Sequence, residues 1–267
     1  MKTENRISCP EKIERLLKGE QYTLDQVGMS RAAVIMLSDK VLKVQEADEE
    51  AESEYLMMKW LKGKLPVPEV LCWEIQDEKS WLLMSRAEGK MTCSEEYLSD
   101  PERLVNVLAK GLKMLWSVDI SGCPCRFDLD KKLEMAAYNV EHGLVDVDNV
   151  EPTTFGEGGF RDPAHLLRWL KENRPEEEYV LVHGDYCLPN IFAKGDEVSA
   201  FIDLGKTGIA DKWQDIALCY RSLIHNFDGS YGGPVREGFD ASILFEKLGI
   251  APDWEKIRYY LLMDELF

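Results

Sequence analysis

The sequence predicts an α+β protein with two lobes, the first an antiparallel sheet with one helix and the second mainly helical. Short apolar runs separated by tight turns occupy the segment before residue 88, which is typical of antiparallel strands. After residue 94, apolar residues recur at helical spacing over long stretches. Between the two patterns, the polar segment from Ser85 to Gly89 loses strand character and ends in glycine, as expected of a hinge. We therefore expect lobes over residues 1–88 and 89–267.

The composition indicates a globular and strongly acidic chain. Its 267 residues are enough for two lobes with a sizeable core. The 32 basic and 49 acidic residues give a formal net charge of −17. An acidic surface repels phosphates, so we expect no nucleic-acid partner. The same charge would attract a polycation, although solubility alone explains it equally well.

Cysteine and histidine usage argues against zinc and for reduced thiols. The seven cysteines are spread out without a C-x-x-C pair, and the four histidines are not at zinc-ligand spacing. The segment from Met1 to Glu20 is polar and charged, and no apolar run approaches the length that spans a bilayer. We therefore expect a cytoplasmic protein with no membrane partner and no obligate protein partner.

The predicted elements of the N-terminal lobe follow one another with short turns. We expect a short amphipathic helix over residues 9–19, and strands over residues 32–37 and 41–44 joined by a tight turn. Lys43 lies inside the second strand, where a lysine either protects an exposed sheet edge or binds nucleotide phosphates. In the second case its partner is a glutamate of the next predicted helix, residues 46–61. The candidates there are Glu50, Glu52 and Glu54.

Two further strands, over residues 69–74 and 80–84, complete the predicted sheet. The C-terminal lobe then begins with a helix that Asp100 caps and in which Pro101 occupies the first turn. Further helices are predicted over residues 128–142, 163–173, 211–224 and 253–267. An acidic and glycine-rich segment over residues 145–162 separates the first two of these.

Three short apolar runs between residues 180 and 202 are followed by polar residues at fixed spacing. His183 and Asp185 follow the first run, Asn190 follows Asp185 by five positions, and Asp203-Leu204-Gly205 follows the third run. Each piece alone is more typical of a turn or of a buried histidine. Together they form the H-x-D-x-x-x-x-N and D-x-G pattern of kinase-type phosphotransferases. The pattern predicts an aspartate that orients a substrate hydroxyl, and an asparagine and an aspartate that hold Mg²⁺ on nucleotide phosphates.

With these residues in view, the chain closely resembles the aminoglycoside 3′-phosphotransferases (kanamycin kinases), a bacterial antibiotic-resistance family with a protein-kinase-like fold. The resemblance runs nearly end to end and implies ATP-dependent phosphorylation of the 3′-hydroxyl of an aminoglycoside. The segments that carry it are Gly28-Met29-Ser30, Met57 to Leu61, Lys64 to Pro68, Leu82 to Ser85, His183 to Asn190, Phe201 to Gly205, Ala210 to Trp213 and Leu262 to Phe267.

The resemblance also implies a role for each matching position. Asp185 would be the catalytic aspartate, and Asn190 and Asp203 would hold Mg²⁺. The positions that would bind ATP are Lys43 with Glu54 as its ion-pair partner, Ser30 in the loop over the phosphates, and the backbone of Ser85 and Ala87.

By the same resemblance, the aminoglycoside would lie among carboxylates, because amines form charge-assisted hydrogen bonds with them. Those carboxylates would be Glu157, Asp264, Glu265 and the terminal carboxylate of Phe267. Three places depart from related sequences and indicate a different drug spectrum or nucleotide preference. They are Leu188 in place of an acid, Val41 in place of an aromatic residue, and the glycine-rich segment from Phe227 to Arg236.

Two other functions compete with this interpretation. One is a kinase of the same fold that acts on another amino alcohol or on a macrolide. The other is a non-catalytic nucleotide-binding protein, although every expected catalytic position is filled. A protein kinase is disfavoured because the segment between Gly205 and Asp211 is too short for an activation loop.

Overall fold

The structure, a computed structural model, describes residues 9–17, 23–24 and 32–267. Gly28 and Ser30, expected in a loop over the phosphates, lie outside these residues. Within them the predicted class is confirmed. An antiparallel sheet with helices comes first in the chain, and the remainder is mainly helical.

The N-terminal part is built on a five-stranded antiparallel sheet. Its strands are β1 (Thr23–Leu24), β2 (Ala33–Met36), β3 (Lys40–Glu46), β4 (Val70–Gln76) and β5 (Lys79–Ser85), in the order β1-β2-β3-β5-β4. The hairpin between β4 and β5 turns at Asp77 and Glu78, which both have positive φ, as a two-residue hairpin requires. Since β3 pairs on both sides, Lys43 lies on an interior strand, and its interpretation as a residue that protects a sheet edge is wrong.

Two helices accompany this sheet, α1 (Glu11–Leu17) and α2 (Glu49–Leu61). Helix α2 begins after Asp48, whose side chain accepts a hydrogen bond from the Ala51 N–H at 2.9 Å. Glutamates fill its first turn, where negative charge interacts favourably with the helix dipole. The cap therefore fixes the start of the helix that carries Glu54.

The C-terminal part contains seven helices and two small sheets among the described residues. The helices are α3 (Glu95–Leu98), α4 (Pro101–Trp116), α5 (Leu129–His142), α6 (Pro163–Glu172), α7 (Lys212–Phe227), α8 (Ile243–Leu248) and α9 (Trp254–Asp264). The strands are β6 (Lys90–Met91), β7 (Tyr179–Val182), β8 (Ile191–Lys194), β9 (Glu197–Phe201) and β10 (Gly208–Asp211). Strands β6, β8 and β9 form one sheet, and β7 pairs with β10 in the other.

Helix α4 is the long central helix of this part. Asp100 caps it by accepting from the Arg103 N–H at 3.1 Å, and Pro101 occupies its first turn. One face is buried completely, and each buried leucine there contributes about 1.5–3 kcal/mol relative to exposure. The fully buried side chains of that face are Leu104, Val105, Val107, Leu108, Leu112 and Leu115.

Two hydrophobic clusters form the core. The smaller lies on one face of the five-stranded sheet, with Leu42, Trp81 and Leu83, and also receives Ile13 of α1. Successive residues of β5 point to opposite faces, so Leu82 and Met84 join the larger cluster instead. That cluster also contains α2 side chains and the helices of the C-terminal part. Helix α2 is therefore packed against both parts of the chain.

Candidate active site

The loop after β7 is shaped by a glycine and a buried carboxylate. Gly184 has φ +88°, and a Cβ there would lie 1.9 Å from the Lys206 carbonyl oxygen, so only glycine fits. Asp215 of α7 is buried and accepts hydrogen bonds from the backbone N–H groups of His183 at 2.6 Å and Gly184 at 2.9 Å. The loop that carries Asp185 is thereby fixed to α7.

His183 holds the loop together rather than reacting. Its Nε2 lies 2.9 Å from the Ile202 carbonyl oxygen, and its Nδ1 accepts from the Asp185 N–H at 3.3 Å. These contacts define the tautomer with the proton on Nε2. The Thr207 hydroxyl donates to the His183 carbonyl at 2.8 Å. The ring therefore joins the Asp185 loop to the segment that ends in Asp203.

Side chains from other elements fix the rest of this loop. The Tyr186 hydroxyl donates to the Leu108 carbonyl of α4 at 2.8 Å. The Leu188 N–H donates to the Ser222 hydroxyl at 3.1 Å, and the Thr92 hydroxyl donates to the Leu188 carbonyl at 2.8 Å. Leu188 is fully buried, so its side chain packs into the core.

Asp185 and Asn190 lie side by side at the mouth of the loop. Asn190 Nδ2 donates to Asp185 Oδ2 at 2.9 Å and to the Asp185 carbonyl at 3.0 Å. Because the amide nitrogen is used in this way, Asn190 Oδ1 remains as an acceptor. The spacing of five residues therefore produces one unit, with a carboxylate next to an amide oxygen.

Lys43 connects the sheet, α2 and the segment after β9. Its Nζ lies 2.9 Å from Glu54 Oε2 and 2.6 Å from Asp203 Oδ1. Burial alone would lower the pKa of Lys43, but the two carboxylates outweigh it and raise the pKa above its ordinary value. The lysine therefore stays charged. Glu54, rather than Glu50 or Glu52, is its partner on α2.

Asp203 combines an unusual backbone with an exposed carboxylate. Its φ of +60° is in the left-handed region, which few residues other than glycine adopt. Its side chain is 38% exposed and lines a cleft between the sheet and the C-terminal part. Lys43 is the main reason that the pKa of Asp203 is lowered, because burial acts in the opposite direction. Asp203 therefore presents a charged carboxylate to the cleft.

The oxygens of this site fit a magnesium ion. Among the described residues, no group of three or more His, Cys, Asp or Glu side chains could hold a metal. Magnesium needs fewer protein ligands, because it takes hard oxygens and keeps several waters. Asn190 and Asp203 both line the same cleft and offer an amide oxygen and a carboxylate. This donor set is chemically suited to Mg²⁺ bound together with phosphate oxygens.

A cleft of about 450 Å³ separates the sheet from the C-terminal part. One end carries the polar groups of Lys43, Asn190 and Asp203. The walls of the other end are apolar and suit a flat ring. They are formed by Val34, Met36, Val41, Met84, Met91, Phe192 and Ile202.

The chain after β5 borders the apolar end of the cleft and offers backbone groups to it. Ser85 and Ala87 both line the cleft. The Ser85 N–H is used by the Glu69 carbonyl at 2.9 Å, whereas no described residue accepts from the Ala87 N–H. The Ala87 N–H is therefore available as a donor to the edge of a heterocyclic ring.

On the other side of Asp185, an acidic group is partly neutralised by basic residues. Asp264 forms an ion pair with Arg221 of α7, which lowers the pKa of Asp264 although burial opposes this. Burial lowers the pKa of Lys132 to about 8. Burial alone would also lower the pKa of Lys206, but the carboxylates around it, including Asp185 and Asp264, raise it. Asp264 is therefore already paired within the protein.

Glu265 lies beside Asp264 in a second contact network. The Glu151 N–H donates to Glu265 Oε2 at 3.1 Å, and the Glu151 side chain lies 3.2 Å from His225 Nε2. The ring of Tyr231 stands edge-on against His225 at 5.1 Å. Burial is the main reason that the pKa of the Tyr231 hydroxyl is raised to about 12. These residues form a wall of mixed aromatic and acidic character.

Not every residue expected to bind substrate joins this wall. Glu157 is exposed in the turn between Phe155 and Phe160, and it makes no hydrogen bond or ion pair with any described residue. Glu151, in the same acidic segment, contacts Glu265 instead. Phe267 lies close by, with its ring centroid 5.4 Å from Lys132 Nζ.

Sequence reasoning missed the basic residues near Asp185, namely Arg221, Lys206 and Lys132. Lys206 directly follows Asp203-Leu204-Gly205, and that position was a usable signal. Arg221 and Lys132 lie on helices α7 and α5 without any local motif. Only the packing of those helices brings them to the site.

This arrangement defines the class of the protein, a phosphotransferase with a kinase-like fold. A charged lysine held by a glutamate and a carboxylate, next to an aspartate–asparagine unit in a cleft, is what phosphoryl transfer needs for positioning and charge neutralisation. None of the described helices is both long enough and apolar enough to cross a bilayer.

Comparisons with known proteins give the family. The model of the phosphotransferase enzyme family (APH) matches residues 26–260. An aminoglycoside 3′-phosphotransferase of Enterococcus faecalis is 42% identical over 263 residues, which cover 97% of this chain and 93% of that protein. One of Staphylococcus aureus is 42% identical over 267 residues, covering 96% and 97%. The chain belongs to the phosphotransferase enzyme family.

A solved structure agrees with this assignment. The aminoglycoside phosphotransferase APH(3'')-Id of Streptomyces rimosus, in complex with ADP and streptomycin, superposes with a TM-score of 0.76 at 26% identity. The match covers 96% of this chain and 97% of that one. The kinase-like fold predicted from the sequence is therefore confirmed.

Proposed function

We propose that this chain transfers the γ-phosphoryl group of ATP to the 3′-hydroxyl of an aminoglycoside and so confers resistance to the antibiotic. The observation that carries the proposal is that Lys43, Asp203 and Asn190 line the polar end of one cleft, where Asn190 also donates to Asp185. The relatives at 42% identity, both aminoglycoside 3′-phosphotransferases, support the substrate class and the position of the hydroxyl.

We assign nucleotide binding to residues 1–88 and to the hinge. Adenine would lie between the apolar walls of the cleft, with hydrogen bonds to the Ala87 N–H and the Ser85 carbonyl. Lys43, oriented by Glu54, would bind the phosphates as a fixed positive charge. Ser30, outside the described residues, would lie in the loop that covers them.

Asn190 and Asp203 would hold Mg²⁺ through their oxygens. When bound, the ion neutralises charge on the phosphate oxygens. Lys206 would add a second positive charge on the acceptor side, because it lies among the carboxylates of Asp203, Asp185 and Asp264. Charge that develops on the transferred group would be stabilised from both sides.

Asp185 would orient the attacking hydroxyl and accept its proton. Its loop is fixed to α4 and α7, so the carboxylate is held in place before substrate arrives. The substrate amines would lie against the acidic side of residues 89–267, with Glu265, Asp264, Glu157 and Phe267 as neighbours. All seven cysteines are unpaired. Because free thiols persist in the cytoplasm, we place the reaction there.

The experiment is an ADP-release assay with Mg-ATP and three acceptors, kanamycin, neomycin and the 3′-deoxy drug tobramycin. We expect turnover with kanamycin and neomycin and none with tobramycin. Asp185→Asn should lower kcat by about 1000-fold and leave nucleotide affinity unchanged.

The alternatives predict different results. Turnover with tobramycin equal to that with kanamycin would exclude transfer to the 3′-hydroxyl. Absence of turnover with every aminoglycoside, together with turnover on another amino alcohol or a macrolide, would show that the substrate belongs to one of those classes instead. Nucleotide binding without turnover on any acceptor would indicate a non-catalytic protein.

A further inference from the structure

Both carboxylate oxygens of Asp185 are contacted by side chains of its own loop. Asn190 Nδ2 donates to Oδ2 at 2.9 Å, and Cys187 Sγ lies 3.0 Å from Oδ1. The proposed function gives Asp185 and Asn190 their roles and leaves Cys187 without one. The Cys187 contact occupies the carboxylate oxygen that Asn190 does not hold.

The thiol is the donor in this contact. An ionised carboxylate only accepts hydrogen bonds, so the proton must come from sulfur. A thiol with its ordinary pKa of about 8.5 is protonated at neutral pH and can supply this proton. Two backbone hydrogen bonds fix the position of Cys187 relative to Asp185. The Cys187 N–H donates to the Asp185 carbonyl at 2.8 Å, and the Asn190 N–H donates to the Cys187 carbonyl at 3.0 Å.

The surroundings of Cys187 distinguish it from a cysteine that only fills the core. Cys187 is half-buried, whereas Cys125 and Cys219 are buried. The charges of Asp264 and Arg221 act on its thiol. Both residues lie on the side of Asp185 where we place the aminoglycoside. The side chain therefore lies beside Asp185 and within electrostatic range of the ion pair between Arg221 and Asp264.

We propose that Cys187 is a positioning residue, whose S–H group donates to Asp185 Oδ1 and fixes the carboxylate for attack by the substrate hydroxyl. The inference rests on the proposed function, since it takes Asp185 as the aspartate that receives the hydroxyl. A thiol is a weak donor. The contact fixes the rotamer of Asp185. Because each carboxylate oxygen has two acceptor sites, one lone pair on Oδ1 remains for the substrate. Placement matters because a shift of about 1 Å in such a group costs roughly 100-fold in rate.

The kinetic test compares Cys187→Ala, Cys187→Ser and the control Cys125→Ala. Cys125 is a matched control, because it is a buried thiol that lies outside the Asp185 loop. We expect Cys187→Ala to lower kcat by about tenfold with KM for both substrates unchanged, since only positioning is lost. Cys187→Ser restores a donor, so its kcat should lie within about threefold of wild type. Cys125→Ala should match wild type in both constants.

Two kinetic results would overturn the proposal. One is a wild-type kcat in Cys187→Ala. The other is an equal loss in Cys187→Ser and Cys187→Ala, which would mean that the thiol acts through its volume and not as a donor.

A second readout needs no substrate. The infrared S–H stretching band of Cys187, assigned by its loss in Cys187→Ser, should lie at lower frequency in the full chain than in Asp185→Ala, where the acceptor is gone. A band that does not move in Asp185→Ala overturns the hydrogen bond. If wild type turns over no aminoglycoside, the proposed function fails, and the infrared comparison still decides whether the thiol holds Asp185.

Discussion

At the scale of single residues, the Glu265 carboxyl titrates near neutral pH. It belongs to the wall of mixed aromatic and acidic residues beside Asp264. Its Oε2 accepts from the Glu151 N–H at 3.1 Å, and Arg221 Nη1 lies 3.7 Å from its Oε1. Burial is the main reason that the pKa of Glu265 is raised to about 7, and the charges of Asp264 and Glu151 add to it. Arg221 acts in the opposite direction. Both substrate binding and stability therefore depend on pH through this residue.

We expect KM for kanamycin to rise about tenfold as pH falls from roughly 7.5 to roughly 6, because protonation removes a carboxylate that would pair with an amine. Stability changes in the other direction. The folded chain holds a proton that the unfolded chain releases above its ordinary pKa of 4.5, so the free energy of unfolding falls as pH rises from 4.5 to about 7. Kinetics and urea unfolding over this range measure the two effects.

Glu265→Gln is the matched variant, because its amide oxygen can still accept from the Glu151 N–H. It should show a high KM at every pH and a flatter stability profile. An unchanged pH dependence of both quantities in Glu265→Gln would contradict the assignment to this residue.

At the scale of elements, α4 and the Asp185 loop meet at a glycine. A Cβ on Gly111 would lie 2.1 Å from the Tyr186 hydroxyl oxygen, which itself donates to the Leu108 carbonyl at 2.8 Å. Tyr186 is fully buried and adjacent in sequence to Asp185. The missing side chain at Gly111 therefore allows the helix to anchor the catalytic loop.

We expect Gly111→Ala to lower the free energy of unfolding by about 1–3 kcal/mol, because overpacking against Tyr186 outweighs the gain in helix propensity. The shift of Tyr186 should also lower kcat. In the Tyr186→Phe background the hydroxyl is absent and the nearest remaining atoms are Cζ of residue 186 and Cγ2 of Val198, both at 3.3 Å, so the same substitution should cost much less. Urea unfolding of wild type, the two single variants and the double variant measures the coupling. A Gly111→Ala protein more stable than wild type would contradict the packing explanation.

At the scale of the whole molecule, the charge of −17 acts on ligands of opposite sign. A protein of this charge attracts a polycation over a distance that salt shortens, from about 30 Å at 0.01 M to about 10 Å at 0.1 M ionic strength. We expect the association rate constant of kanamycin, measured by stopped flow, to fall about tenfold over that range.

ADP is the control ligand for this experiment, because its negative charge is repelled and salt should not slow its binding. Equal salt dependence for kanamycin and ADP would contradict steering. The acidity of the chain would then be explained by solubility alone.

Much of the fold follows from local sequence. The α4 helix begins at the predicted Pro101, and α2 ends at the predicted Leu61, because caps and apolar periodicity are properties of neighbouring residues. Strands β6 and β10 were not expected. They have two and four residues and contain no apolar run, and they are strands because they pair with β8 and β7.

The site residues also divide into those that local spacing predicted and those that only packing selects. The spacing of Asp185 and Asn190 predicted their joint position, because one short loop carries both. Glu54 was one of several candidate glutamates on α2, and the helix rotation selects it. Glu157 and Glu151 lie in one acidic segment, and only its packing against the α9 end makes Glu151 the contact of Glu265.

The sequence by itself determined the class of the protein, its longer helices, most strands of its N-terminal sheet and the residues of its central motif. These depend on residues near one another in the chain, where spacing fixes geometry. The tertiary structure alone decided that Lys43 lies on an interior strand and meets Asp203, 160 positions away, and that Arg221 neutralises Asp264. Such contacts join distant segments, and only the packing of the core sets which side chains face each other.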